Sequence, residues 1–142
     1  MIGYLVDTNI PSELTRPKPE HRVASFLKEV GKDRVYISVL TLGEICKGIA
    51  GIPAGARRAQ LQEWLDTIMR PWFAGRVLPV TDSVAERWGL MAGEAKLRGV
   101  ALSVVDGLLA ATALEHDLAL VTRNAKDFSG LGLRLLNPWQ GT

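Results

Sequence analysis

The sequence is poor in the residue types that stabilise small secreted proteins or build soft metal sites. Among its 142 residues there is one cysteine, Cys46, and there are two histidines, His21 and His116. A single cysteine excludes an intramolecular disulfide and a thiolate cluster, and it suits a reducing cytoplasm. We expect Cys46 to be a small buried apolar residue. Neither histidine has the spacing of a metal ligand, so we expect both to lie at the surface or in packing.

Two further absences narrow the class of protein. No apolar run approaches the roughly 18 residues of a membrane-spanning helix, and the amino terminus lacks the basic region and cleavage site of a signal peptide. The net charge is only +2, with an isoelectric point near 8.9, which by itself does not indicate a nucleic-acid-binding protein. We therefore expect a cytoplasmic protein without a membrane partner.

The residues that are present are typical of one globular domain. The chain is 47% hydrophobic and 23% charged, and it is long enough to bury roughly two thirds of its unfolded surface in a single core. It contains no repeats, no low-complexity tract and no linker. We therefore predict a single domain over residues 1–142.

Short apolar segments alternate with helical patterns along the chain. We predict strands at about 3–6, 35–37, 77–80, 118–121 and 133–136, with helices between them. The clearest amphipathic pattern covers 56–72, where we interpret the stripe containing Trp64 and Trp72 as core, with an interface as the alternative. Strands separated by helices form right-handed crossovers, so the pattern predicts an α/β fold with a mostly parallel sheet of about five strands.

Acidic residues follow or approach the ends of these predicted strands. Asp7 follows the first strand, Glu44 comes after the second, and Asp127 follows the fourth together with Asn124, while Asp106 opens the helix before the fourth strand. The carboxyl ends of parallel strands meet at one edge of a sheet, where ligands bind. Carboxylates without a histidine or cysteine partner favour Mg²⁺ or Mn²⁺ over zinc. The pattern thus predicts a metal site at this edge.

Helix capping explains the same spacing equally well. An acid three residues after a serine or threonine matches the capping box, in which both side chains bond the first amides of a helix. Asp7 has a similar interpretation, although Thr8 and Asn9 already supply capping oxygens to the helix that contains Pro11. Spacing alone does not separate a metal ligand from a cap. The matching pairs are Thr41 with Glu44, Ser103 with Asp106, and Ser83 with Glu86.

Four segments occur in an order that is typical of one protein family. They are Val6-Asp7-Thr8-Asn9, Ser38-x-x-Thr41-x-x-Glu44-x-x-x-Gly48, Asp106-Gly-x-x-Ala110-Ala111-Thr112-Ala113 and Val121-Thr122-Arg123-Asn124-x-x-Asp127-Phe128. With them the chain resembles the PIN-domain ribonucleases and, among these, the VapC-type toxins of bacterial toxin-antitoxin pairs. The segments Phe73-Ala74-Gly75-Arg76 and Asn137-Pro138-Trp139 are similar to the plasmid-stability subgroup.

The resemblance implies a three-layer α/β/α sandwich and a ribonuclease that depends on Mg²⁺ or Mn²⁺. It implies that the metal ligands and catalytic carboxylates are Asp7, Glu44, Asp106 and Asp127, with Asn124 as the alternative to Asp127 in the fourth position. It also implies that neighbouring polar side chains orient carboxylates, water or substrate by hydrogen bonds. Those side chains are Thr8, Asn9, Thr122 and Asn124.

The resemblance also implies partners. It implies an RNA substrate, a homodimer, and a cognate antitoxin whose segment packs into a groove between helices and blocks the acidic site. A larger toxin-antitoxin assembly would contact DNA only through the antitoxin. Candidate basic residues for the RNA approach, any of which could equally be a solvated surface charge, are Arg16, Lys18, Arg22, Lys47, Arg123 and Lys126.

Two other functions compete with this one. A signalling receiver domain also has a parallel sheet, an acid after its first strand and Mg²⁺, but it needs an acidic pair at the first site and a phosphoacceptor aspartate after its central strand. This chain has Asp7-Thr8-Asn9 at the first position and no aspartate directly after Tyr36-Ile37. The second alternative is a PIN-like module that binds metal, RNA or protein without cleaving RNA.

Overall fold

A five-stranded parallel sheet organises the chain. A computed structural model describes residues 2–140, and in it the strands have the spatial order β3-β2-β1-β4-β5. The central strand β1 pairs with β2 on one side and β4 on the other, and all four pairings are parallel. The strands are β1 (Gly3–Val6), β2 (Val35–Ser38), β3 (Val77–Leu78), β4 (Leu118–Val121) and β5 (Leu135–Leu136).

Helices connect the strands and cover both faces of the sheet. A π-helical turn over Leu65–Met69 joins α4 to α5, and 3-10 turns lie at Lys32–Arg34 and Ala125–Phe128. No helix within residues 2–140 is long and apolar enough to cross a membrane. The helices are α1 (Asn9–Glu13), α2 (His21–Val30), α3 (Val39–Ala50), α4 (Ala56–Trp64), α5 (Arg70–Trp72), α6 (Asp82–Leu97) and α7 (Val104–Glu115).

The alternation of side chains along β1 creates two cores. Val6 is fully buried on one face with residues of β2, α3 and the π-helical turn, whereas Leu5 is fully buried on the other face against Leu109 and Ala113 of α7. Successive residues of a strand point to opposite faces, so a strand buried on both sides must be apolar throughout. The predicted α/β fold with a three-layer arrangement is confirmed.

Close packing of α6 on α7 sets the position of the α7 amino terminus. A Cβ atom added at Gly107 would lie 2.6 Å from a ring carbon of Trp88, so only glycine allows this approach. The contact holds the first turn of α7, which contains Asp106, against the neighbouring helix.

Arg76 gives a structural role to the segment that resembles the plasmid-stability subgroup. Its guanidinium donates hydrogen bonds to the backbone carbonyls of Lys32, Val35 and Trp72. It also lies 5.1 Å from the centre of the Trp72 ring, within cation–π distance. Arg76 therefore ties the start of β3 to β2 and to the end of α5.

Several local predictions were wrong. β3 and β5 contain two residues each instead of four, and the proline at position 79, which lacks an N–H group, follows directly after β3. The capping pair of Ser83 with Glu86 is also wrong, because α6 is capped by Thr81, whose hydroxyl accepts from the Val84 amide. Neither Thr8 nor Asn9 caps α1 through its side chain.

The burial predicted for Cys46, His21 and the stripe over 56–72 is only partly confirmed. Cys46 is half-buried against the core and not fully buried. The side chain of His21 is 85% exposed, as predicted for a surface residue. The stripe over 56–72 divides, because Leu65 and Met69 are buried while Trp64 and Trp72 are half-buried and line a surface groove.

Candidate active site

Asp7 stands at the carboxyl end of the central strand. Its side chain is 8% exposed, and both carboxylate oxygens accept hydrogen bonds. Oδ1 accepts from the Thr8 backbone amide at 2.7 Å, and Oδ2 accepts from the Thr122 hydroxyl at 2.8 Å. The Asp7 carboxylate therefore holds the amide of Thr8, the residue that precedes α1, and no side chain caps that helix.

Thr122 connects the loop after β4 to the loop after β1. It is fully buried, and its hydroxyl oxygen accepts from the Asn124 amide at 3.1 Å and from Asn9 Nδ2 at 3.4 Å while donating to Asp7. Asn9 Oδ1 in turn accepts from the Arg123 amide at 3.3 Å. These bonds hold the ends of β1 and β4 in register and fix the orientation of the Asp7 carboxylate.

Glu44 belongs to the site and is not a capping residue. Ser38 is the N-cap of α3, with its hydroxyl accepting from the Leu40 amide at 3.0 Å, so Glu44 lies in the second turn of the helix. Thr41 lies inside the helix, where its buried hydroxyl has no partner among residues 2–140. The Thr8 hydroxyl donates to Glu44 Oε1 at 2.6 Å. The capping-box alternative for Glu44 is therefore wrong.

Asp106 lies in the first turn of α7, and its amide takes part in the cap that the sequence allowed. Ser103 is the N-cap of α7, and its hydroxyl accepts from the Asp106 amide at 3.1 Å, which is one half of a capping box. Asp127 lies in the 3-10 turn after β4 and is exposed, as is Asn124 at the N-cap position of that turn. Ser103 had been considered only as a cap, yet it also contacts a site residue.

Electrostatic coupling joins the four acids. Burial raises the pKa of Asp7, the hydrogen bonds from Thr122 and Thr8 lower it, and the charges of Asp106 and Glu44 raise it further. Burial likewise raises the pKa of Asp106, where Ser103 opposes the shift and the charges of Asp127 and Glu44 add to it. Asp127 thus acts on the Asp106 side of the cluster. None of the ion pairs formed within residues 2–140 involves any of the four acids.

The chemistry of this donor set fits a hard divalent cation. All four charged groups are carboxylates. Two of them have pKa values raised mainly by burial and further by the like charges nearby, and oxygen ligands of this kind suit Mg²⁺ or Mn²⁺. The carboxylates are neighbours, but their oxygens do not converge on one position. Within residues 2–140, no group of three or more acidic, histidine or cysteine side chains is arranged to hold a metal ion.

The basic residues named from the sequence differ in their surroundings. Arg16 lies 3.2 Å from Glu13 and Arg22 lies 2.8 Å from Glu20, so acids of this chain neutralise both. Arg123 stacks over the ring of Trp139 at 5.3 Å, and the Arg123 carbonyl accepts from Asn137. The segment Asn137-Pro138-Trp139 therefore positions an exposed cation next to the loop that carries Thr122, which the sequence did not indicate.

Comparison with known proteins identifies the family. The PIN-domain family model matches residues 4–132. Three curated relatives cover nearly the whole chain: Toxin FitB of Neisseria gonorrhoeae is 36% identical over 95% of this chain and 97% of its own length, and a VapC ribonuclease of Sinorhizobium fredii is 34% identical over 96% and 97%. The plasmid stability protein StbB of Pseudomonas syringae pv. tomato is 32% identical over 96% and 98%.

Solved structures agree with the sequence relatives. The crystal structure of FitAcB from Neisseria gonorrhoeae contains a chain with a TM-score of 0.90 and 36% identity, covering 96% of this chain and 98% of that one. A toxin-antitoxin complex from Klebsiella pneumoniae matches with a TM-score of 0.72 and 26% identity, covering 96% and 98%. The receiver-domain alternative is therefore rejected. The chain belongs to the PIN-domain family, in the branch of the VapC-type proteins and their plasmid-stability relatives.

Proposed function

We propose that the protein is an endoribonuclease that hydrolyses RNA phosphodiester bonds with Mg²⁺ or Mn²⁺. The observation that carries this proposal is the cluster of four electrostatically coupled carboxylates at the carboxyl edge of the sheet, which has no cationic partner among the described residues. The ribonuclease named among its relatives supports the same reaction. We assign the metal ligands as Asp7, Glu44, Asp106 and Asp127.

The residues of this chain hold the catalytic carboxylates in position. Asp7 is held at both oxygens, so its carboxylate keeps one orientation toward the site. The Thr8 hydroxyl fixes Glu44, which we assign to metal binding or to polarising the attacking water. When bound, the divalent ion supplies activation of water and neutralisation of charge on the leaving oxygen. Asp127 is the preferred fourth ligand over Asn124, because its charge reaches Asp106.

The cleavage test uses a charge-removing variant at Asp7. We expect the purified protein to cleave labelled RNA with Mn²⁺, to stop when the metal is chelated, and to lose at least about a hundredfold in rate in Asp7→Asn. The matched control is Asp33→Asn, because Asp33 is exposed and precedes β2 at the opposite edge of the sheet. Undiminished cleavage by a folded Asp7→Asn protein would refute the assignment.

We further propose that the enzyme is the cytoplasmic toxin of a toxin-antitoxin pair. The groove lined by Trp64 and Trp72 has a volume of about 510 Å³, and its rim includes Leu14 and Ile68, which are 37% and 58% exposed. Such a surface suits the apolar face of an antitoxin segment, which would inhibit cleavage, and DNA would be bound only through the antitoxin. Co-expression with the product of the adjacent reading frame should yield a complex that Ile68→Glu weakens.

We also propose a homodimer. Several large apolar side chains on α6, in the connection to α7 and at the start of α7 are exposed, and a partner surface would cover them. Sedimentation of the purified chain should show a dimer, and Leu97→Glu should yield a monomer. A monomeric wild-type protein would contradict this assembly. The side chains are Leu90, Leu97, Val100 and Val104.

A further inference from the structure

A small cavity adjoins Glu44 and has no role in the mechanism described above. Its volume is about 140 Å³, and hydroxyl-bearing residues Thr8, Ser12 and Thr15 form one part of its lining. Glu44 of α3 and Trp64 of α4 also line it. Because Thr8 donates a hydrogen bond to Glu44, the cavity shares two residues with the acidic cluster and opens beside it.

Gly48 lines this cavity and places no side chain in it. It follows Glu44 by one helical turn, on the same face of α3, and it lines the cavity. Glycine destabilises a helix interior relative to alanine, and here a Cβ atom would meet nothing within 4 Å. At Gly107, by contrast, a Cβ atom would clash with Trp88. Packing therefore requires glycine at position 107, whereas at position 48 there is open space that a larger side chain would enter.

The size and lining of the cavity restrict what can occupy it. Its volume is well below that of the 510 Å³ groove and below the roughly 300 Å³ of a drug-sized pocket, so it accepts one ring-sized group and not a peptide segment. Trp64 provides an aromatic surface, and the Ser12 hydroxyl makes no hydrogen bond to other residues within 2–140. RNA-binding proteins recognise unstacked bases with this combination of aromatic and polar groups.

We propose that the cavity is a nucleobase subsite, which holds one base of the RNA next to the phosphodiester bond that is cleaved. This assignment rests on the proposed ribonuclease function and names how the substrate is positioned there. The base would contact Trp64 and hydrogen-bond with the Ser12 hydroxyl, because the hydroxyls of Thr8 and Thr15 already donate to Glu44 and to the Ser12 carbonyl. Filling the space at Gly48 should exclude the base and leave the four carboxylates in place.

The test combines three substrates with three proteins. One substrate is an oligoribonucleotide that the wild type cleaves at a single bond, and the others carry an abasic ribose on either side of that bond. The proteins are the wild type, Gly48→Leu and the control Gly43→Leu. Gly43 also lies in α3 with nothing within 4 Å of its Cβ position, but it does not line the cavity.

We expect the abasic ribose on one side of the bond to slow the wild type by about tenfold, the size of one stacking contact. Gly48→Leu should cleave intact RNA slower by a similar factor and lose nothing further on the abasic substrate. Gly43→Leu should behave like the wild type. Thermal unfolding verifies that each variant is folded, and Gly48→Ala, which should stabilise the helix, provides a smaller change in the same direction if the leucine variant does not fold.

Three outcomes would overturn the subsite while leaving the nuclease intact. The first is wild-type cleavage that is indifferent to the abasic ribose. The second is a Gly48→Leu protein whose cleavage rate falls on the abasic substrate by the same further factor as that of the wild type. The third is a Gly48→Leu protein that cleaves RNA normally but no longer binds the product of the adjacent gene, which would assign the cavity to a protein partner. A wild type that cleaves no RNA would refute the proposed function, and the subsite with it.

Discussion

At the scale of single residues, the buried charge of Asp7 should reduce the stability of the metal-free protein. Its pKa is raised mainly by burial and further by the charges of Asp106 and Glu44, so the folded chain holds the protonated form more readily than the unfolded chain does. The penalty is absent below the ordinary value near 3.8 and complete once the pH exceeds the raised pKa.

We therefore predict that Asp7→Asn, which we expect to be nearly inactive, increases thermal stability. In the presence of a chelator at pH 8, its Tm should exceed that of the wild type, because asparagine resembles the protonated carboxyl. The difference should shrink as the pH falls through the raised pKa and vanish below the ordinary value near 3.8. Melting curves across pH measure this, with Asp33→Asn as the unchanged control. An equal or lower Tm for Asp7→Asn at pH 8 would contradict a destabilising buried charge.

The hydroxyl of Thr122 should contribute more to stability and to cleavage than the hydroxyl of an equally buried threonine elsewhere. Thr122 donates to a carboxylate 115 residues away, so Thr122→Val should lower the free energy of unfolding by about 1.5–3 kcal/mol and slow cleavage. The control is Thr112→Val, because the Thr112 hydroxyl donates only to the Leu108 carbonyl within α7. Equal losses in denaturant melts and in cleavage would show that Thr122 is an ordinary buried residue.

At the scale of secondary-structure elements, two helix caps should differ in their effects: both contribute to stability, but only one should affect cleavage. Ser103 caps α7 and contacts Asp106, whereas Thr81 caps α6 at a distance from the acids. Alanine at either position should lower the free energy of unfolding by about 1 kcal/mol. Only Ser103→Ala should also change cleavage, shifting its acid limb to higher pH, because the Ser103 hydroxyl opposes the raised pKa of Asp106.

The comparison of these two variants needs pH–rate profiles as well as melting curves. An identical acid limb for Ser103→Ala and the wild type would mean that Ser103 serves the helix alone. A cleavage defect in Thr81→Ala that exceeds its loss of folded protein would show that activity follows general stability and would remove the distinction between the two caps.

At the scale of the whole molecule, metal binding should reverse the electrostatic penalty. A ligand that binds only the folded state raises stability by mass action, and here it would also neutralise the repulsion among four carboxylates from separate elements. At a Mn²⁺ concentration about a hundred times its Kd, the wild type should gain about 2.7 kcal/mol in free energy of unfolding. Asp7→Asn should gain much less, as measured by melting with increasing Mn²⁺. Equal gains in both proteins would place the ion elsewhere.

Much of the fold was determined locally and could be predicted. β1 and β4 have the bounds read from the sequence, because a short apolar run bounded by polar residues is a local signal. β3 and β5 were predicted too long, since a strand at the sheet edge is limited by its neighbour and not by its own composition. The single-domain prediction over 1–142 stays a prediction.

The sequence by itself determined the family, the order of the elements and the acids that follow the strands. Only the tertiary structure removed the capping-box interpretation of Glu44, because the same spacing serves a cap and a ligand and the distinction depends on what lies across the fold. In the folded chain Ser38 caps α3, so Glu44 is not needed as a capping residue. The fold also brings Thr122, 115 residues away in the chain, within hydrogen-bond distance of Asp7. It also revealed the open space beside Gly48, since an empty volume is bounded by three separate elements and has no signature in any one of them.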